Sequence, residues 1–487
     1  MCASLVRFTR PSHSLTPKKS LTHAQDKTTA HIIPRELYVS RPRAPNTTPK
    51  AKFISALSTR TRLLLRMAEA KAAPLLARED GGAAAEGSGR GGGATWAQTL
   101  GNVVVSIVGT GVLGLPYAFR AAGWLAGTLG VAAAGCATHY CMLLLVECRD
   151  KLEEEETEEP CDVLYTYGDL GQKCFGTIGR CSTEIFIFLS QAGGSVAYLI
   201  FIAQNLHSML TQFMSPDGFI FAVLLPMQIA LSFVRSLSSL SPFSIFADAC
   251  NVLAMAIVIK EDIRLFDHPF ADRSAFNGLW AIPFSFGVAL FCFEGFSMTL
   301  ALEASMAERK KFKWVLSQAL VCIMFVYACF GVCGYLAYGE ATKDIVTLNL
   351  PNSWSSSAVK IGLCIALAFT FPVMMHPIHE IVEARIRSSQ CFQKFSQNVG
   401  GPNWLALHAS RIMVVTILAV VASYVPAFGA FIAFVGSTVC ALLAFVLPTA
   451  FHLSIVGSSM SLWRRLLDYG FLLFGLVFAV YGTFTAL

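Results

Sequence analysis

Charged residues are scarce in this chain of 487 residues. Asp, Glu, Lys and Arg make up 14% of it, against about 25% in ordinary soluble domains. More than half of the residues, 54%, are hydrophobic. This balance excludes an ordinary soluble domain. Because backbone groups in hydrocarbon must be hydrogen-bonded within the protein, it favours an all-α polytopic membrane protein.

Several sequence signals for chemistry are also missing. The 15 cysteines contain no C-x-x-C pair and no spacing typical of zinc. There is no glycine-rich phosphate-binding loop, which argues against ATP-driven work. No nucleophile–base set or nucleic-acid motif is present. We therefore expect neither an enzyme nor a cofactor, metal or nucleic-acid partner.

Acids are nearly absent from the first part of the chain. Residues 1–94 form a basic tail that we expect to be disordered and cytosolic, with the membrane domain at 95–487. Residues 1–66 have the composition of a transit peptide. Since Met67 resembles a second start, we favour the interpretation that 1–66 is an upstream extension of the reading frame.

Apolar runs of about 20 residues each predict membrane-spanning helices. Basic residues concentrate in the segments that are cytosolic if the N-terminus is cytosolic, and this fixes the predicted orientation. A juxtamembrane group at 309–313 is the clearest example. We predict eleven spans, numbered 1 to 11 along the chain, at 96–119, 123–146, 182–210, 218–235, 241–260, 279–304, 314–338, 356–381, 406–425, 427–452 and 466–486.

Two of these spans are interrupted near their middle. Span 1 contains three glycines and a proline at 109–116, and span 6 carries Glu294 and Gly295 within an aromatic run. Glycine weakens a helix and proline removes a backbone donor, so both spans should break at membrane depth. The spans run in opposite directions, five helices apart. This arrangement predicts a five-plus-five inverted repeat with discontinuous helices 1 and 6, and a binding site at the breaks.

The motifs resemble those of the amino acid/auxin permease family, in particular its plant branch of aromatic and neutral amino acid transporters. The likeness runs from about Thr95 to the C-terminus. The resemblance implies a fold of the LeuT/APC type and proton-coupled movement of amino acids, often across the vacuolar membrane. It is carried by GTGVLGLP at 109–116 with AGW at 122–124, YGDLG at 167–171, GGSVAY at 193–198, SPFSIFAD at 241–248, FCFEGFSM at 291–298 and KDIVTLNLP at 343–351.

One position departs from the family pattern. Animal proton-coupled relatives have a histidine shortly before the glycine motif, and the corresponding residue in this chain is Asn102. An asparagine does not titrate, so any proton coupling needs another residue.

A zwitterionic amino acid needs partners for both of its charges. We expect backbone N–H groups at Thr110 and Gly111 to hold the carboxylate, and carbonyls from Ser106 to Val108 to accept from the ammonium. The competing interpretation is that the glycines only allow close helix packing. Together with the second break, this predicts substrate contacts at Ser106, Val108, Gly109, Thr110, Gly111, Tyr198, Phe291, Phe293, Glu294 and Gly295.

Glu294 is the candidate for proton coupling, because an ionisable residue inside a span is functional by default. A structural carboxyl that caps broken helix ends is the alternative. Glu303 is expected to pair with nearby bases, and Asp248 to pair within the bundle. The spacing of His376, His379, Glu380 and Glu383 imitates a metal site, but with Arg385 and Arg387 alongside we favour an ion-pair network.

These observations predict a secondary active transporter, namely a proton symporter of neutral and aromatic amino acids driven by a proton gradient. We expect a monomer in the vacuolar membrane, with the plasma membrane as the alternative. Two other functions stay open: an uncoupled facilitator or exchanger, and an amino-acid sensor that signals through the cytosolic tail.

Overall fold

The computed structural model describes residues 94–155, 165–210, 213–233, 237–266, 273–351, 353–388 and 403–486. Within these ranges the regular structure is helical, and a single β-bridge joins Ala94 to Met306. The predicted all-α class is therefore confirmed. The tail up to residue 93, including the possible extension at 1–66, lies outside the described residues.

Each of the eleven predicted spans overlaps a helix in the described part of the chain. Eight helices there are long and apolar enough to cross a membrane, and a pair bent by 49° in span 1 gives a ninth. In chain order, the helices that correspond to the eleven predicted spans are Trp96–Ile107 with Thr110–Ala122, Trp124–Glu155, Tyr167–Met209, Pro216–Ser232, Leu237–Arg264, Ile282–Cys292 with Phe296–Ser305, Phe312–Tyr338, Trp354–Ser388, Asn403–Tyr424, Phe428–Ile455 and Leu462–Ala486.

Span 3 begins fifteen residues earlier than the predicted residue 182. Its helix starts at Tyr167, where Thr166 provides the N-cap, and bends at Phe175 and Gly176. Gly176 has φ +59°, a left-handed conformation that glycine adopts without a Cβ clash. The segment before this bend carries polar residues, so hydropathy alone did not join it to the span.

Phe119, in the second half of span 1, fixes how that half packs. Its ring is fully buried between two glycines on different helices. A Cβ at Gly127 of span 2 would lie 2.7 Å from the ring, and one at Gly331 of span 7 would lie 2.5 Å from it. Both helices therefore approach span 1 at distances that only glycine permits.

We expect Gly331→Val to destabilise the protein by about 1–3 kcal/mol, because the added side chain overpacks the site against Phe119. The measurement is the thermal melting temperature of purified protein in detergent. Gly130→Val is the matched control, since a Cβ at Gly130 meets nothing within 4 Å. Adding Phe119→Leu should restore part of the loss, and equal melting of the Gly331 and Gly130 variants would contradict this packing.

The face opposite the predicted cytosolic one is covered by the loop at 339–350. The Arg120 guanidinium, at the outer end of span 1, donates to the Thr342 carbonyl at 3.0 Å. The Asp344 carboxylate accepts from the backbone N–H of Phe428 at 2.9 Å, where span 10 begins. A carboxylate at a helix N-terminus is stabilised by the dipole. The loop thus ties span 1 to span 10 at this face.

At the predicted cytosolic face, backbone hydrogen bonds join the start of span 1 to the end of span 6. The N–H of Ala94 donates to the Ser305 carbonyl at 2.8 Å, and the N–H of Ala307 donates to the Ala94 carbonyl at 3.0 Å. Thr95 then caps span 1 through a reciprocal bond with Gln98. The ends of the two broken spans at the predicted cytosolic face are thereby linked to each other directly.

Candidate functional site

Span 1 is interrupted at Val108 and Gly109. Its first half ends at Ile107, Val108 has extended backbone angles, and a 3-10 turn begins at Thr110. A C-terminal end with free carbonyls therefore lies next to an N-terminal end with free N–H groups. The break occurs where the glycine motif predicts it.

Span 6 is interrupted in the same way at the predicted residues. Its first half ends at Cys292, and its second half begins at Phe296 after Gly295. Glu294 lies inside the break. Each broken span thus presents one carbonyl end and one N–H end at the middle of the bundle.

The two breaks contact each other. A Cβ at Gly295 would lie 2.8 Å from the Ile107 side chain, and one at Gly111 would lie 3.0 Å from the Phe291 ring and 3.1 Å from the Cys292 sulfur. Both glycines permit a close approach that a larger residue would prevent. The two glycine motifs therefore serve packing as well as breakage.

Tyr327 of span 7 joins the two carbonyl ends. Its hydroxyl donates to the Ile107 carbonyl at 3.2 Å and to the Cys292 carbonyl at 3.0 Å. The side chain is fully buried. Because these carbonyls end the first halves of spans 1 and 6, one phenol satisfies backbone acceptors of both broken helices.

Glu294 places a carboxyl group beside this junction. Its Oε1 atom is buried and has no hydrogen-bond partner among the described residues. The Ser190 side chain of span 3 lies within its reach. Within the described ranges, no Lys, Arg or His forms an ion pair with Glu294. An uncompensated charge in such surroundings would be costly.

Tyr198 of span 3 faces the same place. Its hydroxyl lies beside the Thr110 side chain, and Asp248 and Glu294 are near enough to act on it electrostatically. The structure thus brings together Thr110, Tyr198 and Glu294 from three different spans, as the sequence predicted. Asp248 of span 5 belongs to the same neighbourhood.

Among the other predicted contact residues, some lie at the junction of the breaks and others contact different neighbours. Phe291 and Gly111 face each other across the junction of the breaks. The Phe293 ring instead packs on Tyr327, with ring centroids 5.1 Å apart. The Ser106 hydroxyl donates to the Val103 carbonyl of its own helix at 2.9 Å, which leaves its oxygen as an acceptor.

Two glycines at and near the breaks differ in their surroundings. A Cβ at Gly109 would meet nothing within 4 Å, whereas one at Gly194 of span 3 would lie 3.0 Å from the methyl end of Met374. Gly194 lies one helical turn before Tyr198. Gly109 is therefore open, and Gly194 packs closely against Met374 of span 8.

Sequence reasoning missed two features. Tyr327 gave no signal, because a tyrosine in an apolar span is ordinary until its partners are known. A second polar cluster joins spans 2, 10 and 11 away from the breaks: His452 lies 2.7 Å from the Asp468 carboxylate and 3.3 Å from that of Glu147. Tyr140 also donates to Asp468, at 2.6 Å.

Asn102 occupies the position at which the family pattern departs. It is buried, and neither polar atom of its side chain has a hydrogen-bond partner within the described ranges. It lies in the first half of span 1, one and a half turns before the break. The side chain at this position is therefore polar, but it cannot gain or lose a proton.

Two expectations about charged residues are confirmed. Glu303 pairs with Arg149 of span 2 at 2.6 Å, and the two side chains are only 2% and 4% exposed. Glu383 pairs with Arg411 at 2.8 Å and Arg387 at 3.1 Å, as expected of an ion-pair network. Glu303 therefore links span 6 to span 2 and lies outside the junction of the breaks.

We expect Arg149→Met to destabilise the protein by about 3–5 kcal/mol, because it leaves the Glu303 carboxylate buried without its partner. Thermal melting of the purified protein measures this loss. The double variant Arg149→Met with Glu303→Leu should recover most of it, since both charges are then gone. A double variant no more stable than the single one would contradict the pairing.

A helical bundle whose spans 1 and 6 break in opposite directions around a buried carboxyl has the architecture of a secondary transporter. The solved inward-facing conformation of Mhp1 matches 81% of this chain and 91% of that chain, with a TM-score of 0.54 at 11% identity. The predicted five-plus-five inverted repeat of the LeuT type is confirmed by this likeness in fold.

Residues 92–487 match the family described as transmembrane amino acid transporter protein. The chain is 54% identical over 399 residues to amino acid transporter ANT1 of Arabidopsis thaliana, covering 80% of this chain and 91% of that protein. It is 29% identical over 394 residues to vacuolar amino acid transporter 3 of Schizosaccharomyces pombe, covering 78% and 56%. The chain belongs to this family of amino acid transporters and is not an enzyme.

Proposed function

We propose that this protein is a proton symporter of neutral and aromatic amino acids in the vacuolar membrane, acting as a monomer. The observation that carries the proposal is the Glu294 carboxyl, which lies in the break of span 6 with a buried oxygen that has no partner within the described ranges. The substrate would bind between spans 1, 3, 6 and 8.

The broken helices suit both charges of a zwitterion. The N–H groups that begin the second half of span 1, at Thr110 and Gly111, carry the positive end of a helix dipole and would hold the carboxylate. Carbonyls that end the first half, from Ser106 to Val108, would accept from the ammonium. The Tyr198 hydroxyl beside Thr110 adds a donor for the carboxylate.

This arrangement leaves Glu294 available for the proton. The helix ends already compensate the substrate charges, so the carboxyl is left without a cation. An unpaired carboxylate in apolar surroundings is costly, and a bound proton removes that cost. One proton would therefore accompany each amino acid through the alternating cycle, in which spans 1 and 6 rock against the rest of the bundle.

The space near the breaks supports a neutral substrate side chain. Gly109 leaves room beside the break of span 1, and the Phe291 ring and the Met374 methyl group supply apolar neighbours. An aromatic side chain buries a large apolar area in such a space.

Two observations support the vacuolar membrane and transport into the cytosol. A relative from Schizosaccharomyces pombe is named a vacuolar amino acid transporter. The distribution of basic residues favours a cytosolic N-terminus. A proton gradient from an acidic lumen would then drive amino acids into the cytosol.

We expect Glu294→Gln to abolish gradient-driven accumulation, because the amide keeps the size and hydrogen bonding of the carboxyl but cannot carry a proton. The measurement is uptake of labelled Phe, Tyr, Ala, Pro, Leu, Glu and Lys into proteoliposomes, with and without an imposed pH gradient. Wild-type protein should accumulate the neutral substrates. The variant should accumulate at least about tenfold less, which corresponds to about 1.4 kcal/mol or more of free energy no longer stored in the substrate gradient.

Glu340→Gln is the control, because Glu340 is an exposed carboxylate at the face opposite the predicted cytosolic one and pairs with Arg120 at 3.4 Å. It should accumulate substrate as the wild type does. Symport would be refuted, and a facilitator favoured, if the gradient did not change wild-type uptake and Glu294→Gln took up substrate as the wild type does.

We expect Gly194→Leu to lower uptake of phenylalanine more than uptake of alanine, because the new side chain, one turn before Tyr198, would displace the Met374 methyl group and narrow the region between spans 3 and 8. The ratio of the two initial rates in proteoliposomes is the readout. Gly130→Leu is the control, since Gly130 lies on span 2 and a Cβ there meets nothing within 4 Å. An equal loss for both substrates would show that Gly194 does not line the side-chain space.

An uncoupled facilitator is the second candidate, and Asn102 is the observation that favours it. The residue is buried in span 1 where proton-coupled animal relatives have a histidine, and it cannot titrate. The gradient experiment separates this function from symport directly.

A further inference from the structure

Tyr327 makes a contact that neither broken helix makes by itself. Its hydroxyl has one hydrogen, and that hydrogen is shared between the Ile107 and Cys292 carbonyls at 3.2 Å and 3.0 Å. Both carbonyls end half-helices, so both carry the negative end of a helix dipole. Two such ends repel each other unless a donor or a cation lies between them.

Transporters with broken helices use carbonyls of this kind to coordinate a coupling cation. In this chain a neutral phenol from span 7 donates to them instead. Each carbonyl oxygen has two lone pairs, so one lone pair of each remains for another donor. The geometry thus holds two carbonyls together and leaves them able to accept from an ammonium group.

We propose that Tyr327 is a positioning residue for the amine of the substrate: its hydroxyl takes the place of a metal cation between the carbonyl ends of spans 1 and 6 and aligns them as acceptors. This inference rests on the proposed transport of amino acids. It follows that substrate binding does not require sodium, and that removing the hydroxyl weakens recognition of the amine in particular.

The hydroxyl and the ring of Tyr327 have different roles, and a substitution can separate them. The Phe293 ring lies against that of Tyr327, with centroids 5.1 Å apart, so the ring also has a structural role. Tyr327→Phe removes the hydroxyl and keeps the ring. Its effect on the amine is then distinct from any loss of packing.

The matched control is Tyr167→Phe. The Tyr167 hydroxyl is buried and donates to the Leu443 carbonyl at 2.7 Å, so its removal also deletes a phenol–carbonyl hydrogen bond. That bond joins spans 3 and 10 and does not involve the carbonyl ends of spans 1 and 6.

The experiment measures binding to purified protein in detergent by competition, for L-phenylalanine and for 3-phenylpropanoate, which lacks the amine. We expect Tyr327→Phe to weaken phenylalanine binding about tenfold and to leave 3-phenylpropanoate within about twofold, so discrimination for the amine falls. Tyr167→Phe should keep the wild-type ratio. An unchanged ratio in Tyr327→Phe, or the same fall in Tyr167→Phe, would overturn the inference.

A second measurement uses the wild-type protein alone and so does not depend on how the variants fold. Phenylalanine binding is compared in sodium chloride and in choline chloride at equal ionic strength. Equal affinity is expected, and affinity that requires sodium would overturn the inference, because the carbonyls would then be held by a cation. Wild-type protein that binds no amino acid would instead refute the proposed function.

Discussion

The central constraint on this structure is the hydrogen bonding of backbone groups where a helix is interrupted inside a membrane. An unpaired backbone group costs several kcal/mol in hydrocarbon. Two interrupted helices are stable here because their breaks meet, with Gly111 and Gly295 permitting the approach. The carbonyl ends share the Tyr327 hydroxyl. Under the proposed function, the N–H groups at the start of the second half of span 1 hold the substrate carboxylate.

The rest of the bundle holds these two helices in place. Phe119 packs the second half of span 1 between glycines of spans 2 and 7. A buried ion pair from Arg149 to Glu303 and the backbone bonds at Ala94 tie the second half of span 6 and the start of span 1 to their surroundings. The loop at 339–350, which contains Asp344, covers the face opposite the predicted cytosolic one. Both broken helices are therefore anchored at their ends as well as at the junction of the breaks.

Most of the fold could be predicted from the sequence, because hydropathy and glycine–proline chemistry act locally. The positions of the eleven spans and both breaks follow from such local rules. The start of span 3 was missed because a polar segment continues its helix beyond a bend at Gly176. Tyr327 and the His452 cluster were missed for a different reason: their partners lie on other helices, and no spacing in the sequence reports which side chains meet.

The most direct test of the account is a structure of the protein determined with a bound neutral amino acid. The account predicts that its carboxylate lies within hydrogen-bond distance of the N–H groups at Thr110 and Gly111, and its ammonium near the carbonyls that end the first half of span 1. Tyr327 should keep its contacts with Ile107 and Cys292. An amino acid bound away from the two breaks would contradict the account.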